Sequence, residues 1–151
     1  MKLAEALVQR ADMQKRMAQL ASRIVQQARH QEGEEPVEDA AELLREYDRL
    51  AGNLEDLIVR INVQNLATII DGSQTMTGAL ARRDRLRQLH RMRSELADAA
   101  SQGADRYSKS EIKFLPSVDV RAMRKEADDL AREARDLDTQ IQSANWTTEM
   151  E

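Results

Sequence analysis

The chain has 151 residues, a net charge of −4 and no cysteine. This length fits one domain with a core of ordinary size. Hydrophobic residues make up 41% of the chain but aromatic residues only 3%, so the core is expected to be aliphatic. The absence of cysteine excludes disulfides, zinc–thiolate sites, iron–sulfur clusters and a cysteine nucleophile.

Four segments carry apolar residues at alternating spacings of three and four, which is typical of helices that pack lengthwise against one another. We predict an all-α fold of long antiparallel coiled-coil-type helices, arranged either as a four-helix bundle or as paired hairpins. Residues 1–151 are assigned to a single helical domain. The predicted helices cover about 2–31, 38–62, 76–101 and 119–145.

Short extended or hairpin segments are predicted between these helices, over about 63–75 and 104–116. The pair Asp71-Gly72 favours a tight hairpin turn, because glycine and aspartate tolerate the backbone conformation that such a turn needs. Asp119 is placed to cap the fourth helix. The connections are therefore expected to be short compared with the helices.

Net charge alternates in sign from one predicted helix to the next, beginning with a positive first helix. Successive antiparallel helices would then face opposite charge, an arrangement in which ion pairs select the neighbouring helix. Arg83, Arg87 and Arg91 form a possible basic face on the third helix. We expect this face to pair with the acidic second helix, and contact with nucleic-acid phosphates is the alternative.

A search for catalytic constellations gives little. His90 lies among arginines, which favours a solvated surface position. His30 lies at the C-terminal end of the first predicted helix, where it complements the helix dipole. Neither histidine has a glutamate three residues before it, as a di-iron bundle requires. We predict no catalytic residues, no metal site and no cofactor.

Polar residues in the predicted connections are the candidate interaction surface, because binding residues gather in loops. The alternative interpretation is that they are ordinary connecting residues. The candidates are Asn62, Asn65, Arg106, Tyr107, Lys109 and Glu111.

Seven stretches carry a family resemblance: 1–7, 31–34, 60–62, 71–72, 105–108, 111–113 and 141–148. Together they resemble the septicolysin-like bacterial proteins over nearly the whole chain. The resemblance implies a helical fold and a bacterial origin. The family name implies an oxygen-labile cytolysin, an activity that suggests a thiol, and this sequence contains no cysteine.

The favoured function is a non-enzymatic interaction or scaffold protein that self-assembles into a homo-oligomer and has a protein partner. A cytoplasmic location is expected, because the opening residues do not read as a signal peptide and no apolar run reaches the roughly 18 residues needed to span a bilayer. The alternatives are a chaperone-like holdase of prefoldin-like plan, nucleic-acid binding through the third helix, and a cytolysin. An enzyme is the least favoured class.

Overall fold

The computed structural model describes residues 1–102 and 112–150. The described chain contains four long helices and one short antiparallel β-hairpin, which confirms the predicted all-α class. In chain order the elements are α1 (Leu3–Gln26), α2 (Ala40–Ala67), β1 (Ile69–Asp71), β2 (Gln74–Thr75), α3 (Met76–Ala100) and α4 (Val120–Thr147).

The chain divides into two compact units. The first unit contains residues 1–69 and the chain end from Ser143, and the second contains Ile70–Gln142. The assignment of the whole chain to one domain stays a prediction. Within the described residues, no helix combines the length and the apolarity needed to cross a membrane.

In the first unit, α1 and α2 run antiparallel. Arg16 pairs with Glu46 near the middle of the two helices, and Arg23 pairs with Glu38 where α1 ends and α2 approaches. The core between them is aliphatic, as the sequence predicts. Its large buried side chains are Leu3, Leu20, Leu43, Leu57 and Ile61.

Helix α1 ends at Gln26, five residues before the predicted end. The helix ends early because its last turn bonds to the segment that leads into α2. Arg23 Nε lies 3.1 Å from Glu38 Oε2, and Gln27 Oε1 accepts the Glu38 amide at 3.4 Å. Gly33 then adopts a φ of 84°, a conformation that glycine reaches without steric cost. Asp39 begins α2 by accepting the amides of residues 41 and 42.

Helix α2 continues to Ala67, whereas the sequence predicted an extended segment from residue 63. Between Ile61 and Gly72 the sequence contains no glycine or proline, so no helix-breaking residue opposes helix propagation past the buried Ile61. Thr68 closes the helix, donating its amide to the Gln64 carbonyl at 2.8 Å. The predicted hairpin is present but shorter, and it turns at Gly72, whose φ is 55°.

In the second unit, α3 and α4 also run antiparallel. Thr75 caps α3 by accepting the Gly78 amide at 3.2 Å. Asp119 caps α4 by accepting the Ala122 amide at 3.0 Å, as predicted. The buried apolar residues of this unit are Met76, Ala79, Leu86, Ala97, Ala127, Ala134, Leu137 and Ile141.

Four arginines of α3 pair with α4, so the expectation that the arginine face pairs with the second helix is wrong. The reason is geometric: α4 packs alongside α3 and carries carboxylates at the matching levels. The pairs are Arg82–Glu133, Arg83–Asp138, Arg87–Asp138 and Arg93–Glu126.

The connection between α3 and α4 was predicted to be extended over 104–116. Its first part, residues 103–111, lies outside the described residues. Residues 112–119 contain neither helix nor strand. Pro116 lacks a backbone donor, which is consistent with an irregular segment here.

The two chain ends pair with each other in the first unit. Leu3 donates its amide to the Thr148 carbonyl at 3.0 Å, and Met150 donates to the Met1 carbonyl at 2.8 Å. Between these bonds, Lys2 Nζ lies 2.5 Å from a Glu149 carboxylate oxygen. We call residues 1–3 and 148–150 the end clasp.

The end clasp is expected to depend on pH. The hydrogen bond from Lys2 lowers the pKa of Glu149 below its ordinary value of 4.5. Glu149 therefore stabilises the folded state above pH 4.5, and this contribution is lost as the pH falls through the lowered pKa. In an NMR pH titration, the Met150 amide shift should follow that transition.

The variant Glu149→Gln should remove the transition from the Met150 amide. Glu55→Gln, the same substitution on the exposed surface of α2, is the matched control and should leave it in place. A Met150 amide that titrates equally in both variants would contradict the assignment to Glu149.

Candidate interaction surfaces

The polar residues predicted as an interaction surface are only partly brought together. Asn62 and Asn65 lie in the last turns of α2, one exposed and one half-buried. The sequence predicted that the helix ends at Asn62 and that Asn65 lies in the extended segment after it. Their spacing of three residues places them on neighbouring positions of one helix side. The other four candidates, Arg106, Tyr107, Lys109 and Glu111, lie outside the described residues.

The predicted basic face on α3 is largely neutralised. Asp138 on α4 accepts from Arg83 at 2.8 Å and from Arg87 at 3.4 Å. The Arg83 side chain is only 19% exposed, so its guanidinium lies in the contact between α3 and α4 and is little accessible to other partners. Arg91 is exposed and has no ion pair with the described residues.

His90 is half-buried against α4 and is not the solvated side chain that the sequence predicted. Its Nδ1 lies 2.9 Å from the Ala127 carbonyl oxygen. A carbonyl oxygen can only accept, so Nδ1 is the donor in this contact. Helical spacing was the missed signal, because His90 follows the buried Leu86 by four residues and precedes the buried Ala97 by seven.

A groove of about 390 Å³ lies beside His90 on the surface of this helix pair. Arg87 in the groove is already engaged by Asp138, and the Thr139 hydroxyl donates to the Arg135 carbonyl at 3.0 Å. Arg87, His90 and Asp138 in the groove make contacts between α3 and α4, whereas the Thr139 hydroxyl bonds within α4. Its polar lining residues are Arg87, His90, Arg135, Asp138 and Thr139.

Helix α3 also carries an exposed apolar face. Leu89, Met92 and Leu96, which we call the α3 stripe, have exposed fractions of 36%, 57% and 37%. Their spacings of three and four residues place them on one side of the helix. The buried residues Leu86 and Ala97 lie about a quarter turn away around the helix. Of the stripe, Leu96 also lines a cleft with Val120 at the start of α4.

An apolar cleft lies where α3 leads into the connection to α4. The cleft has a volume of about 600 Å³, and Phe114 at its edge is 89% exposed. We call it the connection cleft. Its apolar lining includes Leu96, Ala99, Phe114, Leu115, Pro116, Val118 and Val120.

A second exposed apolar face lies on α2 in the first unit. Val59, Val63 and Leu66, which we call the α2 stripe, are each more than half exposed. Their spacings of four and three residues again define one helix side. Contiguous apolar residues left in water mark sites where proteins associate, whereas scattered ones do not.

Metal chemistry finds no support among residues 1–102 and 112–150, which contain no group of three or more His, Asp or Glu side chains placed to hold an ion. His30 is exposed in the connection after α1.

Two comparisons place the chain among known proteins. The profile of DUF6847, described as a family of unknown function, matches residues 10–150. The chain therefore belongs to this family. No protein with a curated description matches it.

A solved structure has a very similar fold. It is a crystal structure of a functionally unknown conserved protein from Corynebacterium diphtheriae, and it is 42% identical to this chain. The superposition has a TM-score of 0.93 and covers 100% of this chain and 99% of the other. The similarity therefore extends over the full length of both chains.

Among the carboxylates of the second unit, Asp138 is expected to contribute most to the stability of the fold. Asp138→Ala leaves Arg83 without its acceptor, and because Arg83 is mostly buried, the loss should destabilise the fold by about 1 to 2 kcal/mol. Urea denaturation followed by circular dichroism measures this change.

Asp136→Ala is the matched control, since Asp136 is exposed on the same helix and has no ion pair with the described residues. It should change stability by less than about 0.5 kcal/mol. Equal effects of the two substitutions would show that Asp138 has no special role.

Proposed function

We propose that this DUF6847 protein is a helical interaction protein that self-assembles and works through its surfaces, with no catalytic role. The observation that carries the proposal is the α3 stripe, an apolar helix face that stays partly exposed beside the buried face of α3. Removing apolar surface from water is the main driving force of association. The α2 stripe adds independent support from the other unit.

The proposed partners are a second copy of the chain and a further protein, in a bacterial cytoplasm. The similar crystal structure comes from a bacterium, which supports the proposed origin. Nucleic acid is a poor fit as a partner, because Arg83 and Arg87 are engaged by Asp138. The resemblance to septicolysin-like proteins stays a prediction.

A holdase is the second candidate function, and the connection cleft favours it. Phe114, Leu115 and Ile112 are each at least 79% exposed. Exposed apolar side chains in an irregular segment can contact unfolded chains without a fixed geometry. The candidate differs from self-assembly because its partners would be non-native proteins.

Self-assembly predicts a reversible oligomer in sedimentation equilibrium. Val63→Ser and Met92→Ser together place a hydroxyl in each stripe and should weaken association by at least about tenfold, which corresponds to about 1.4 kcal/mol. Val25→Ser is the control, because Val25 is 73% exposed on α1 and belongs to neither stripe. A wild-type monomer at about 1 mM, where even weak binding is detectable, would contradict the proposal.

The holdase candidate predicts that the wild-type chain suppresses the aggregation of a heat-denatured client protein, measured by light scattering. Phe114→Ser should reduce the suppression because it removes the most exposed ring of the connection cleft. Val37→Ser, at a 92% exposed position in the connection between α1 and α2, should have no effect. A client that aggregates equally with and without the wild-type chain would exclude this function.

A further inference from the structure

We infer that the α3 stripe is the seam of a two-fold, antiparallel pairing with α3 of a second copy of this chain. The inference rests on the proposed self-assembly and makes it specific. Three features of α3 lead to it.

The first feature is that α3 has two packing faces. One face contains Leu86 and Ala97, is buried, and packs within the described fold. The other face contains Leu89, Met92 and Leu96 at the same alternation of three and four residues. This alternation is the one that packs two helices lengthwise, so the uncovered face is shaped for another helix.

The second feature is the charge at the two ends of the stripe. Arg85 precedes Leu89 by four residues, Glu95 follows Met92 by three, and both are exposed. Neither residue has an ion pair with the described residues of the chain. The α3 stripe thus begins beside an unpaired cation and ends beside an unpaired anion.

These charges select the orientation of the second copy. Arg85 and Glu95 are separated by about 15 Å along the helix. In an antiparallel pair centred near residue 90, Arg85 lies at the level of the partner's Glu95, and the reverse pair forms at the other end. A parallel pair would place like charges at the same level, which is unfavourable.

The α2 stripe lacks this complementarity. It begins after Glu55 and Asp56, and the sequence contains no basic residue between its last member, Leu66, and Arg82. In two copies paired along the α2 stripe, Glu55 and Asp56 of one copy would therefore have no basic residue opposite them after Leu66 of the other. Among the two stripes, the α3 stripe is the one suited to a second copy.

The third feature is the size of the seam. Residues 85–96 span about 18 Å of a helix about 10 Å wide, so the contact area would be small beside the roughly 800 Å² per partner of a standard interface. The pairing is therefore expected to be reversible and concentration-dependent. Reversal of a single charge should then have a large effect on the dissociation constant.

A charge-exchange experiment tests the pairing. Arg85→Glu and Glu95→Arg should each raise the dimer dissociation constant by at least about tenfold, because each places like charges together twice in the symmetric pair. The double variant, Arg85→Glu with Glu95→Arg, restores both opposite pairs and should return to within about threefold of the wild-type constant. Sedimentation equilibrium measures all four proteins.

Arg45→Glu is the matched control, since it makes the same charge change on the exposed surface of α2 and should leave the constant unchanged. Circular dichroism establishes that each variant is folded, and folding should be retained because all three positions are exposed.

Three results would overturn the inference or its premise. Self-association that is equal in Arg85→Glu, Glu95→Arg and Arg45→Glu rejects the α3 pairing but leaves the proposed self-assembly standing. A double variant weaker than both single variants rejects the antiparallel orientation. A wild-type chain that stays monomeric removes the proposed self-assembly together with the pairing.

Discussion

Lengthwise burial of aliphatic side chains between antiparallel helices is the interaction on which the rest of this structure depends. With aromatic residues at only 3% of the chain, leucine, isoleucine, methionine and alanine must supply the buried apolar area. In each unit a pair of long helices provides most of that area. A helix offers only a narrow stripe to one neighbour, so a second stripe on the same helix stays in water unless something else covers it.

Ion pairs across the helices refine this packing. The pairs of α1 with α2, and of α3 with α4, lie mostly on partly exposed edges, where each contributes little free energy. These ion pairs instead influence which helix packs as the neighbour and in what lengthwise register, because like charges facing each other would oppose packing. Asp138 is the exception: it receives two arginines, one of them mostly buried.

The exposed stripes and the connection cleft give the molecule its most distinctive surface. Membership in DUF6847 and the similarity to the corynebacterial structure establish family and fold. Function then has to be argued from sites, since one fold can carry many activities. Here the strongest site-level features are apolar faces such as the α3 stripe, and the polar groups near His90 mainly join α3 to α4.

Local pattern was enough to determine the helical class, the turn at Asp71-Gly72 and the cap at Asp119, because apolar spacing and turn chemistry act over a few residues. The sequence alone could not determine which helix faces α3, whether His90 is buried, or where α1 and α2 end. Those features depend on contacts between residues far apart in the chain, such as Arg83 with Asp138 and Arg23 with Glu38. Only the tertiary structure decides them. A charged or apolar helix face could pack against several different segments of the chain, and the sequence pattern does not say which one it contacts.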